Sequence, residues 1–355
     1  MEEKHKFWNT QPVGKNGLGI ISNERSVSLE KPKLPGGFRL EELESIEELA
    51  RFLEENYVED VHSGHMLKYS KDFLEWVIGS DEARKKYSVV LRLCGRMVGF
   101  IFAQEHWIVI REQKNRVVGV NFLCVSQEMR GRGLAPILIK EVTRQANVDG
   151  IFQGVFTNGI ELFFNISHGR YYHRPLNGEN LFMSGFSDRI IKSRKTHVRE
   201  GTRVAEEKDM VDIEKLYLQE SEKHMFYEEI RSSNISSTFK TVKNVIHTYV
   251  HESGGKIDGF GSFFIIDTIE KKSKRKVQGG YLYYRGGRDI KEMVEDLIYF
   301  AEKEGCDVFT CLDTMGNSSF LADLGFFPGS GEIRYYLYNW STREVPKDKV
   351  FFILP

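Results

Sequence analysis

Arg130-Gly131-Arg132-Gly133-Leu134-Ala135 is the stretch of this chain best equipped to hold an anion. It follows an apolar run, Val120-Asn121-Phe122-Leu123-Cys124-Val125, that reads as a strand, and it opens a helix expected over 134–146. Glycines let the backbone come close to a ligand because no Cβ intervenes. The free N–H groups at a helix start carry partial positive charge. Arg130 and Arg132 add full charges beside them, and together these groups suit a diphosphate. Cys124 is a tempting nucleophile, but it sits on an apolar strand with no cue for a thiolate, and we reject it. No Cys/His cluster is present, and no metal site is expected. The last six residues, Val350-Phe351-Phe352-Ile353-Leu354-Pro355, are apolar, where a soluble tail is usually polar and frayed. They fit a terminus threaded into the protein, or a final edge strand packed for stability.

These residues need a scaffold, and 355 residues are enough for two domains with real cores. Charged residues make up 28% and hydrophobic residues 41%, an ordinary globular composition. A net charge of -1 favours neither nucleic acid nor an anionic membrane as partner. No run approaches the roughly 20 apolar residues of a membrane helix. The charged start, Met1-Glu2-Glu3-Lys4-His5-Lys6, does not read as a signal peptide. The four cysteines, Cys94, Cys124, Cys306 and Cys311, are read as reduced core residues of a cytosolic protein.

The first 37 residues read as an extended arm. Helices are expected over 45–56 and 71–77, with strands over 88–93, 96–103, 117–125 and 150–156. Cys94-Gly95-Arg96 makes a hairpin turn between the first two strands. A charged stretch near 192–208 places a domain boundary around 196. The second half then replays the first. Lys256 to Phe264 resembles Gly95 to Phe102, and Gly280 to Tyr284 takes the place of Val120 to Cys124. A helix over 290–302 and a strand over 306–310 follow in the same order. The expectation is an arm over 1–37 and two mixed α/β units over 38–196 and 197–355. Only the first carries the glycine- and arginine-rich loop.

The pattern R-x-x-G-x-A at Arg130 resembles the signature with which GNAT acyltransferases cradle the pyrophosphate of CoA. In that superfamily the preceding strand splays at a bulge and pantetheine adds to it as a missing strand. A narrower resemblance is to the N-myristoyltransferase family. It rests on Lys6-Phe-Trp-Asn-Thr-Gln-Pro-Val13, Glu55-Asn-Tyr-Val-Glu-Asp60, Asn121-Phe-Leu-Cys-Val125 and Ala135-Pro-Ile-Leu-Ile-Lys-Glu141. Gly150-Ile-Phe-Gln-Gly-Val-Phe-Thr157, Arg170-Tyr-Tyr-His-Arg174, Phe309 to Asp313, Asn317 to Leu321 and Tyr335-Tyr-Leu-Tyr-Asn-Trp340 add to it. It covers roughly residues 5 to 355. The fold it implies is α/β: two GNAT-like halves related by a pseudo-two-fold, forming one saddle-shaped mixed sheet flanked by helices.

The resemblance implies transfer of a myristoyl group from myristoyl-CoA, a co-substrate, to the N-terminal glycine amine of client proteins. No other cofactor is implied, nor a nucleic-acid partner. The base it implies is the α-carboxylate of the last residue, here Pro355, and the oxyanion donors are the N–H groups of Phe122 and Leu123. Asn121 and Thr157 would guide the amine and its proton. Acyl-CoA contacts fall on Lys6, Phe7 and Trp8, on Phe122, Leu123, Cys124 and Val125, and on Arg130, Gly131, Arg132, Gly133, Leu134 and Ala135. The peptide groove falls on Tyr57, Val58, Asp60, Thr157, Gly159, Tyr171, His173, Ser262 and Leu354. A cytoplasmic monomer without stable membrane insertion is expected. The loop departs from the family's common R-S-K-R-V-A. Ser330-Gly331-Glu332 stands for the more usual Asp-Gly-Asn, and Pro355 for a final Leu or Gln. A short-chain GNAT acetyltransferase and a non-catalytic acyl-CoA-binding module are the other readings of the loop.

Overall fold

The computed structural model describes residues 7–14, 17–21, 30–57, 59–60, 65–79 and 85–355, with the backbone alone at 59–60. Lys6 and Val58 lie outside the described residues. Local signals in the sequence start the helices. Ser45 caps Ile46–Asn56 by accepting from the Glu48 N–H at 3.2 Å, and Ile46, Leu49, Phe52 and Leu53 form its buried stripe. Ser70 caps Lys71–Ile78 in the same way, accepting from the Phe73 N–H at 3.1 Å.

Among the described residues, 16 strands form one mixed sheet and two more form a small separate one. In the first half, Phe38–Glu42, Tyr87–Leu93, Arg96–Ile110 and Gln113–Val125 pair antiparallel in sequence order. The chain crosses over through the helix Leu134–Val148 and returns as Gln153–Asn158, parallel to Gln113–Val125. The second half repeats this with Thr202–Val204, Ile246–Ser253, Lys256–Glu270, Lys276–Gly287, the helix Ile290–Lys303 and the parallel strand Val308–Leu312. The last strand of each half is then exchanged. Ser167–Pro175 pairs with Val308–Leu312, Phe327–Tyr338 pairs with Gln153–Asn158, and the two pair with each other at the centre.

Both halves carry a bulge at matching places. Between Phe100 and Phe102 the register skips, leaving Phe122 and Leu123 without a ladder partner. Between Gly261 and Phe263 it skips again, leaving Tyr283 and Tyr284. Phe122 has φ +53°, a left-handed conformation that non-glycine residues seldom adopt.

Leu138 and Val142 of the first crossover helix pack on Leu91 and Ile101, and Leu297 and Ile298 of the second pack on Phe263 and Phe309. Burying each such side chain stabilises the fold by about 1.5–3 kcal/mol. A third core spans both halves, joining Phe52 and Phe100 to Phe260 and Phe351. The arm is tied down where it is described: Val13 bridges to Tyr338, and Gly19–Ile20 pairs with Trp340–Ser341. The strand expected to end at 103 runs on to Ile110, because Gln104, Glu105, His106 and Trp107 remain paired although their polarity hides the strand pattern. One cysteine reading is corrected. Cys124, Cys306 and Cys311 are buried and free, but Cys94 is exposed, held in the hairpin turn at φ +50°.

Candidate active site

The bulged strand Gln113–Val125 forms one wall of a cleft of about 920 Å³, within the range of sites for sizeable ligands. One side is apolar, lined by Val118, Val120, Ile139, Val142, Ala146 and Ile151. Asn121, Phe122, Leu123 and Thr157 also line it, and so do Leu354 and Pro355. The chain's last residue therefore meets the bulge, although 234 positions separate Asn121 from Pro355. The Asn121 Nδ2 donates to the Pro355 main-chain oxygen at 2.6 Å, and its Oδ1 accepts from the Phe122 N–H at 2.8 Å. Leu123, opened by the bulge, is 37% exposed in an otherwise buried strand end.

The terminal segment is fixed from several sides. Val350–Phe351 pairs parallel with Phe226–Glu228. The Ile353 N–H donates to the Tyr284 hydroxyl at 3.2 Å, and the Tyr335 hydroxyl donates to the Phe352 carbonyl at 3.1 Å. Phe351 and Phe352 are fully buried. Leu354 and Pro355 stand half-buried at the cleft.

The glycine loop sits at the exposed start of the helix Leu134–Val148. Gly131 and Gly133 take left-handed φ values of +77° and +75°, and Gly133 is the N-cap, with no side chain competing for the helix N–H groups. Arg132 is exposed. Arg130, also exposed, folds its guanidinium back on the main chain, its Nε donating to the Val125 carbonyl at 3.3 Å and a second nitrogen to the Asn56 carbonyl, so it braces the loop against the end of the first helix. Leu134 is buried, and Ala135 packs beside the core under the helix.

Cys124 is buried behind the strand, and burial pushes its thiol up to about 12, consistent with its rejection as a nucleophile. Val125 is buried beside it. Trp8 stacks on Phe156 at 5.3 Å and lines the cleft, and Phe7 meets Trp8 edge-on at 5.1 Å.

Of the groove residues, Tyr57, Thr157, Gly159, Tyr171, His173 and Leu354 line the cleft. Burial raises the phenols of Tyr57 and Tyr171, so both remain protonated donors. His173 contacts the Thr310 Oγ1 through Nδ1 at 3.0 Å, and burial holds its pKa down to about 4, so the ring is neutral. Asp60 pairs with His65 through its backbone. Ser262 does not line the cleft. It is fully buried in the second bulge, donating to the Tyr284 carbonyl at 3.1 Å. Sequence reasoning missed Tyr69, Tyr281, Phe186 and Tyr338 on the cleft wall. Nothing local marks them, since each comes from an element remote from the loop. Ser330, Gly331 and Glu332 also line the cleft, with Glu332 paired to Arg334 at 2.7 Å.

Residues 22–169 match the family described as Myristoyl-CoA:protein N-myristoyltransferase, N-terminal domain, and residues 187–350 match the corresponding C-terminal domain. A probable glycylpeptide N-tetradecanoyltransferase of Caenorhabditis elegans is 32% identical over 98% of this chain and 85% of its own length. A glycylpeptide N-tetradecanoyltransferase of Plasmodium falciparum is 29% identical over 99% of this chain and 93% of its own. Among solved structures, Saccharomyces cerevisiae N-myristoyltransferase with bound myristoyl-CoA superposes with a TM-score of 0.92 at 26% identity, covering 99% of this chain and 100% of that one. A GCN5-related N-acetyltransferase from Anabaena variabilis shares the fold, with a TM-score of 0.51 at 14% identity over 84% of this chain and 72% of that one.

Proposed function

We infer what this chain does from the family it belongs to, the myristoyl-CoA:protein N-myristoyltransferases: it transfers a myristoyl group from myristoyl-CoA to the amine of an N-terminal glycine. The observation that carries the mechanism is the bond from Asn121 to the Pro355 main chain, which holds the end of the chain beside the bulge. The incoming α-amine, with an ordinary pKa of about 7.7–8.0, is mostly ammonium at neutral pH. The Pro355 α-carboxylate takes one proton from it. The amine nitrogen then attacks the thioester carbon, and the oxygen gains charge facing the main chain at Leu123; the Phe122 N–H expected to assist is engaged by Asn121 Oδ1 at 2.8 Å. One such donor is typically worth about 2.7–4 kcal/mol of barrier. In the collapse the C–S bond breaks, the amide keeps one N–H, and the other proton leaves with the sulfur as the CoA thiol.

The first half holds acyl-CoA. Its diphosphate lies on the N–H groups of Gly131, Gly133, Leu134 and Ala135, with Arg132 beside them. Phe7 and Trp8 cover it from the arm. The apolar wall of the cleft takes the alkyl chain. The peptide lies across Tyr57, Thr157, Gly159, Tyr171 and His173, a groove shared with the second half. We place the reaction in the cytoplasm, by a monomer. No helix among the described residues is long and apolar enough to cross a membrane. The C14 product has only weak, reversible membrane affinity on its own.

The test is transfer of labelled myristate from myristoyl-CoA to a Gly-initiated peptide, with an Ala-initiated control. Label on the first peptide alone is the expected result. Acetyl transfer with no transfer of C12 to C16 chains would replace this reading by the short-chain one.

A further inference from the structure

A second, smaller chamber of about 70 Å³ lies behind the end of the chain. Asn121, Leu354 and Pro355 line both spaces, so the last two residues form the partition between them. The chamber has room for about two waters. On its far side His106 Nδ1 lies 2.7 Å from Glu228 Oε1, with the two side chains only 11% and 15% exposed. The carboxylate fixes the tautomer, so Nδ1 carries the hydrogen and Nε2 is left as a base. The edge of the imidazole lies on Gly119. A Cβ there would come within 2.6 Å of His106 Cδ2, 2.7 Å of Nε2 and 3.1 Å of Leu354 Cδ2. Glycine at 119 thus makes room for the ring on the strand, two residues before Asn121 and on the same face. The other nearby carboxylate, Glu105, is engaged by Arg116 at 2.6 Å. The chamber rim reaches the exposed Asn234.

The reaction has a proton to dispose of. An ammonium and a thioester yield an amide, a thiol and one proton, and that proton rests on the Pro355 carboxylate after each transfer. We propose that His106, oriented by Glu228, relays this proton to bulk water. Its Nε2 accepts it from the carboxylate through water in the chamber. The ring then releases it toward the Asn234 rim and returns to the neutral form, while the carboxylate is ready for the next amine. This rests on the reading of Pro355 as the base.

The experiment uses the full chain with myristoyl-CoA and a Gly-initiated peptide. His106→Ala lowers kcat about tenfold, a modest share of what proton transfer contributes to catalysis. The KM values and the Kd for myristoyl-CoA stay within about twofold. Added imidazole restores kcat in a saturating way in this variant and leaves the wild type unchanged. His106→Gln keeps a hydrogen-bonding partner for Glu228 and loses the same activity. Wild-type kcat in His106→Gln overturns the proposal, and so does a loss in His106→Ala that imidazole does not reverse. A chain extended beyond Pro355 separates this from the reading beneath it. Turnover that survives extension removes the Pro355 base itself. An inactive extended chain beside a fully active His106→Gln removes only the relay.

Discussion

Asn121 joins the two parts of the mechanism in one side chain, holding the Pro355 oxygen with its nitrogen and the Phe122 N–H with its oxygen. Asn121→Ala removes both contacts and leaves the myristoyl-CoA loop untouched. Loss of orientation alone then lowers kcat about 10–100-fold. The Kd for myristoyl-CoA stays within about threefold, because the loop proposed to hold its diphosphate lies elsewhere. Single-turnover rates beside equilibrium binding check this, and an affinity loss as large as the rate loss would sink it. His173 gives a pH prediction. Its folded pKa of about 4 lies below the value near 6.5 of an unfolded histidine, because burial of the ring, packed against Thr310, Phe186 and Gly329, disfavours its charged form. The stability that this neutral ring contributes is fully present above pH 6.5. As pH falls from 6.5 toward 4 the unfolded chain binds the proton first, and up to about 3 kcal/mol is lost. The His173 ring resonances in an NMR titration should stay constant from pH 8 down to 5. A midpoint near 6.5 would contradict the buried placement.

At the scale of elements, the two bulges divide the work. The first opens Leu123 to the cleft, and residues 126–133 separate its strand from the helix, long enough for an anion-binding turn. The second is plugged. Tyr284 fills it, Arg285 is bound by Glu220 at 2.7 Å and Asn317 at 3.0 Å, and only Arg288 and Asp289 precede the helix. Its use is to hold the terminal segment, through the Tyr284 hydroxyl and the Ile353 N–H. Tyr284→Phe leaves that buried N–H unpaired, at a cost of about 1–3 kcal/mol. We expect a lower Tm and a several-fold fall in kcat, with the affinity for myristoyl-CoA unchanged. A lower Tm with wild-type kcat would mean that Pro355 is positioned without help from the second bulge. The sequence revealed the first two helices, the glycine loop and the repeat, because each is decided within a turn or within neighbouring strands. It could not reveal that Arg130 bonds to the main chain of Asn56, which lies 74 residues away. Ser262, given to the groove by the family resemblance, is sealed by the tertiary fold beneath Tyr284.

At the scale of the molecule, the repeat in the sequence reads as two separable units, yet the sheet denies that separation. Each half gives its last strand to the other: Phe327–Tyr338 pairs with Gln153–Asn158, and Ser167–Pro175 pairs with Val308–Leu312. The end of the chain crosses back as well, pairing with Phe226–Glu228, which in turn pairs with Arg96–Ile110. One hydrophobic core contains Phe52 from the first half, Phe260 from the second and Phe351 from the terminal segment. A chain of this length commonly unfolds in steps when its domains keep separate cores. Here neither half can close its sheet or cover its core alone. Calorimetry should therefore show one transition, with a calorimetric to van't Hoff enthalpy ratio of about 1. Myristoyl-CoA, although the loop proposed to hold its phosphates belongs to the first half, should move that whole transition, adding about 2.7 kcal/mol at a free concentration of 100 Kd. Two resolved transitions, only one of them shifting with myristoyl-CoA, would show that the exchanged strands do not couple the halves. The Pro355 carboxylate would then depend on a second domain that could open while the first still held its acyl donor.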